Sequence, residues 1–156
     1  MKQAIVSAAT LIILAAGVRT SEAVSVPFIH VNTFGIELCP QSLCRAAIFV
    51  GVLHGQVGAN PNALGTYSVA ITHEPLPNPF EFADLTGGLF EFRVGLRRIR
   101  GVVVGGTLLN NDNNTYTTRA FLLITSGGSG MVVFEGLLDH NVFPPTVVGR
   151  VTQLGS

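Results

Sequence analysis

The amino-acid sequence predicts an all-β protein: an antiparallel barrel of about eight strands, with a two-sheet sandwich as the alternative. Three observations predict it. Val, Ile, Phe and Thr dominate the apolar runs, and turn residues recur about every 8–12 positions beyond residue 24. No stretch there carries the periodicity of a helix of normal length. Glycines within apolar runs, such as Gly51, Gly101, Gly136 and Gly149, suit the bends of a small barrel, and closure removes edge strands.

The elements follow in order. Met1-Lys2-Gln3 is a short positive start, Ala4–Val18 an apolar run of about 15 residues, and Ser21-Glu22-Ala23 a small-residue site. That order predicts a secretory signal peptide over 1–23, short for a membrane span of about 20 residues. The remaining chain, 24–156, is expected to be a single β-barrel domain, secreted or periplasmic, with no integral membrane segment. Export permits a structural disulfide between Cys39 and Cys44 in "CPQSLC".

Strands are predicted near 26–31, 45–57, 65–74, 88–94, 98–109, 115–125, 131–138 and 146–153. "GANPN" (58–62), "LNNDNNT" (109–115), "SGGSG" (126–130) and "NVFPP" (141–145) mark turns. Period two puts Tyr67, Val69, Ile71 and His73 on one face, and Phe90, Phe92 and Val94 on one face with Leu89, Glu91 and Arg93 opposite. "AAIFVGVL" (46–53) and "FLLI" (121–124) are apolar on both faces and are expected to be covered on both. A membrane-spanning barrel is disfavoured by the absence of Trp and the presence of only two Tyr, too few for aromatic girdles.

The charge balance excludes one class of partner. Without Lys2, Arg19 and Glu22, seven arginines and eight acids remain, so no basic domain built for nucleic acid is expected.

The segment "GGSGMVVFEG" (127–136) resembles the Gly-Gly-Thr-Gly turn and following apolar strand of dirigent and allene oxide cyclase proteins, with Ser129 where Thr is usual. The resemblance implies a small eight-stranded barrel. The catalytic residues of that family do not map onto this chain, so it implies no activity.

Candidate chemistry lies in four places. Asp139-His140 ends a strand and offers an acid/base pair; neighbours on a strand point apart, so the bland alternative is a turn with Asp139 bonding backbone amides and His140 packing on Phe143 or Pro144. Glu91, Arg93, Arg119, Glu135, Asp139 and Arg150 form a polar lumen if they turn inward, and ordinary surface charge if they do not. Arg93, Arg98, Arg100 and Arg150 are candidates for binding an anionic ligand, and the dense run "RVGLRRIR" (93–100) is equally suited to a solvated edge. Pairing Gly58 with Gly65 would set His54 and His73 on one face, and a two-step shift would bring them opposite each other at metal-ligating distance; isolated histidines are the default, and no metal is expected.

No nucleophile elbow, His-Glu-x-x-His or phosphate loop occurs, so no cofactor is called for. The expected role is binding of a small apolar or anionic ligand, or a structural part. The first alternative is an isomerase- or cyclase-type enzyme with acid/base residues Glu91, Arg119, Glu135, Asp139 or His140 in a barrel cavity. The second is a subunit that associates with copies of itself.

Overall fold

The computed structural model describes residues 29–38 and 45–154, and their regular structure is entirely β. The predicted signal peptide and the Cys39–Cys44 disulfide lie outside the described residues. Eight strands run in sequence: β1 (Ile29–Glu37), β2 (Ala46–Val57), β3 (Asn60–His73), β4 (Phe82–Val94), β5 (Arg97–Asn110), β6 (Thr115–Ser126), β7 (Gly130–Asp139) and β8 (Thr146–Leu154). Each pairs antiparallel with the next, and β8 returns to pair with β1. The sheet is a closed barrel, not a sandwich.

The alternation predicted from period two is the alternation observed. Tyr67, Ile71 and His73 are buried on the inner face of β3, and Phe90 and Phe92 on that of β4, while Thr66, Ser68, Leu89 and Arg93 are exposed. The lumen is filled by Ile, Val, Leu, Phe and Tyr side chains from all eight strands. Two glycines make room for the largest of them. A side chain at Gly35 would collide with the Tyr67 hydroxyl, and one at Gly51 with the Phe34 carbonyl and the Tyr67 ring.

The turns divide the barrel into two rims. The lower rim carries the tight hairpin turns 58–59, 95–96 and 127–129, where Gly58, Gly95 and Gly127 take φ of 66, 59 and 78°. The upper rim carries the four longer connections, from β1 to β2, β3 to β4, β5 to β6 and β7 to β8.

Three expectations are corrected. β1 extends to Glu37 and β4 begins at Phe82, so both are longer than predicted. The β2–β3 turn is two residues, not five, so Leu53 pairs with Gly65 and His54 with Leu64. This register differs from the expected one by an odd number of residues and turns β2 over: His54 lies exposed on the outer wall while His73 is buried on the inner one, so the two cannot share a ligand. Third, the strands 46–53 and 121–124 are not covered outside by this chain: Ile48, Val52 and Leu123 are exposed. They belong to ordered rows. Leu137, Val148, Phe34 and Val52 are successive cross-strand partners from β7 through β8 and β1 to β2, all exposed, Phe34 by 54%.

Candidate functional site at the upper rim

The residues predicted to line a polar lumen face outward instead. Glu91 sits on the outer face of β4, where Arg100 Nε donates to it at 2.5 Å and Arg93 Nε donates to its other oxygen. These bonds, that from Arg100 foremost, hold the Glu91 carboxyl below the usual carboxylate range. Arg119 and Glu135 meet at 3.3 Å with both side chains more than half exposed. Arg150, the cross-strand partner of Glu135, is exposed as well, and so is Arg98, opposite Arg93. The reason lies in the pleat: each charge alternates with an apolar residue that takes the lumen position, as Glu91 does with Phe90 and Phe92, and Glu135 with Phe134.

The buried polar groups are elsewhere, at the upper rim. Glu37, the last residue of β1, is buried, and its Oε2 lies 2.8 Å from Nε2 of His140, 103 residues away, with side-chain exposures of 6% and 17%. A carboxylate accepts, so Nε2–H of His140 donates. Backbone bonds fix both partners: Glu37 N–H donates to the Pro145 carbonyl at 2.9 Å, and His140 N–H to that of Asn114 at 2.9 Å. The Tyr116 ring packs against the imidazole, centroids 5.2 Å apart. Burial, then the nearby Glu37 charge, raises the Tyr116 phenol above its usual value.

His73 completes the group. Its Nδ1 is 2.5 Å from the Glu74 carbonyl, which only accepts, so Nδ1 carries the proton and Nε2 of the neutral ring is the basic nitrogen. Glu37, His73 and His140 line a cavity of about 20 Å³ with Phe49, Ile71 and Leu138. Phe49 and Ile71 also line a second cavity of about 30 Å³ in the lumen, beside Thr33, Tyr67 and Thr118. Thr33 Oγ1 and Tyr67 Oη are buried there without a hydrogen-bond partner, and burial pushes the Tyr67 phenol up to about 12. The rim cavity and the lumen cavity thus share Phe49 and Ile71 as lining residues.

Of the predicted candidates, His140 and His73 enter this site, His73 without the His54 weighed as its partner. Asp139, the neighbour of His140, turns to other partners: Oδ1 accepts from the backbone N–H of Asn141 at 2.8 Å, the turn role expected of it, while His140 bonds Glu37 rather than packing on Phe143. Glu37 and Tyr116 were not read as site residues, and His73 was read only as a possible ligand beside His54. The inward alternation of β3 was the available signal for His73. Among the described residues no group of three or more His, Cys, Asp or Glu side chains is placed to hold a metal ion.

Compared with known proteins, the chain matches no family model, no curated protein and no solved structure.

Proposed function

We propose that this exported barrel binds a small molecule with an apolar body and a hydroxyl group, the hydroxyl meeting Glu37, His73 and His140 at the upper rim and the body entering between Phe49 and Ile71. One observation carries this reading: a buried carboxylate–imidazole pair is set into the mouth of an otherwise apolar lumen. Burying such a pair costs desolvation that an apolar pair of similar volume avoids, so stability alone is a poor reason to keep it there. A ligand larger than the present cavities displaces Phe49 and Leu76, both of which are only partly buried.

The second reading, acid/base catalysis at this site, is favoured by the proton arrangement. His73 offers a basic Nε2 and His140 a donated proton beside a carboxylate, the two ends of a proton transfer.

The test is a titration of phenol and short-chain alcohols followed by NMR. Binding should move resonances of His73, His140 and Tyr116 first. Glu37→Gln and His140→Gln should weaken it by about tenfold each, the worth of one hydrogen bond to a charged group, while Glu135→Gln on the outer wall should change nothing. Shifts confined to the outer wall, or equal binding by all variants, would reject the rim site.

A further inference from the structure

The outer wall formed by β3 to β6 carries an unusual charge layout. Across its middle runs a row of direct cross-strand partners, Ala70, Leu89, Val102 and Leu123. Leu89 is 64% exposed, and Val104 beside the row is exposed too. Toward the lower rim the wall becomes basic, with Arg93, Arg97, Arg98 and Arg100 against Glu91 alone. Toward the upper rim it becomes acidic, with Glu74, Glu81 and Asp84, all exposed, against one cation, Arg119 of β6, which pairs with Glu135 of β7. Backbone bonds hold these acids to the ends of β3, β4 and β5: Glu74 N–H donates to the Asp84 carbonyl and Asn110 N–H to that of Glu81.

The spacing along β4 is close to symmetric. Arg93 is four residues beyond Leu89 and Asp84 five before it, about 13 and 17 Å at the strand rise. A concavity of about 340 Å³ opens in the same wall, lined by Ser68, Ala70, Leu89, Glu91, Arg100 and Gly101 among others. Ala70 and Gly101, both small, leave the space at its floor.

We propose that this wall is a two-fold interface with a second copy of the chain, the axis passing beside Leu89 and perpendicular to the strands. Such an axis runs the two walls antiparallel. The partner's Leu89 fills the concavity, the two apolar rows cover each other, and the arginines of each copy face the Glu74, Glu81 and Asp84 of the other. The occupant follows from charge: a wall basic at one end and acidic at the other, with like distances to its midpoint, is complementary to its own inverted image. Four strands about 4.8 Å apart over some 30 Å of length make a contact at the low end of interface sizes, so the dimer dissociates on dilution. This inference is independent of the rim site.

Sedimentation equilibrium of the whole secreted protein tests it. The expected result is a concentration-dependent dimer, weakened by salt. Leu89→Asp should raise the dissociation constant at least about a hundredfold. Asp84→Arg and Arg93→Asp should each weaken association about tenfold, and the double variant carrying both should regain it, because in a two-fold contact each swapped charge meets its swapped partner. All three positions are exposed, and far-ultraviolet spectra of each variant are the check that it keeps the barrel. A monomer at all concentrations, a trimer or larger closed ring, or a dimer indifferent to Leu89→Asp would overturn the proposal. Failure of the double swap to restore association would overturn the antiparallel arrangement.

Discussion

Tyr67 shows how one side chain records the character of the lumen. It is nearly fully buried, its hydroxyl has no hydrogen-bond partner, and its pKa is pushed up to about 12 by burial. The sign of the linkage follows. The neutral phenol is the favoured form in the barrel, whereas the unfolded chain ionises near 10. The contribution to stability is whole below about pH 10 and is lost as pH rises from about 10 to about 12, by about 1.4 kcal/mol per unit. Tyr116, raised in the same direction, adds to the loss. Urea denaturation at pH 8, 10 and 11 should show the decline, and Tyr67→Phe should flatten most of it. At pH 8 that same substitution should leave stability within about 1 kcal/mol, since it removes a hydroxyl that bonds nothing. A steep decline retained in the phenylalanine variant would assign the effect elsewhere.

At the scale of the strand, the glycines separate two kinds of constraint. A side chain at Gly101 would collide with the Leu123 carbonyl across the ladder and with the Phe90 ring, and neither can withdraw. Gly95 has nothing near its Cβ position, and only its φ of 59° opposes a side chain. Gly101→Ala should therefore destabilise by about 2–4 kcal/mol through steric overlap, and Gly95→Ala by about 1 kcal/mol. Thermal unfolding of the two variants side by side checks the order, and a reversed order would contradict the register of β5 on β6.

The strands also show what the sequence reveals and what it conceals. The faces of β3 and β4 were legible because alternation is a local property. The start of β4 was not, because Gly87-Gly88 looks like a turn, whereas both stay in the strand beside a bulge. The β2–β3 register was lost through the length of one turn, since Pro61 and Asn62 read as loop and lie in β3. The rim site was concealed for a related reason. Glu37 joins it only because β1 runs on through Phe34 and Gly35, and His140 reaches it across 103 residues of sequence. Nothing local marks a pairing set by closure. The outward-facing charges, by contrast, were readable in principle: Glu91 and Arg93 alternate with Phe90 and Phe92, and the apolar set was bound to take the interior.

The whole molecule depends on the pairing of β1 with β8, from His30 opposite Thr152 to Ile36 opposite Thr146. Without it the sheet has two open edges, on β1 and β8, and an apolar interior exposed to water. Removal of residues 146–154 should give protein that binds thioflavin and pellets on centrifugation, while the full chain stays in solution. A soluble, sharply melting truncated form would show that the barrel does not need closure. Because this pairing joins the first strand to the last, folding waits on contacts more than a hundred residues apart and belongs to the slower, millisecond-to-second range.

The same seam has a consequence for how the chain can be rearranged. Ile29 and Leu154 leave neighbouring strands at the lower rim, so a few added residues can splice one to the other. The β5–β6 loop, where Asp112 and Asn114 already hold left-handed conformations, then becomes a place to start and stop translation. A ring of hydrogen-bonded strands has no intrinsic beginning; the position of the break is a matter of genetic order, and the shape is indifferent to it.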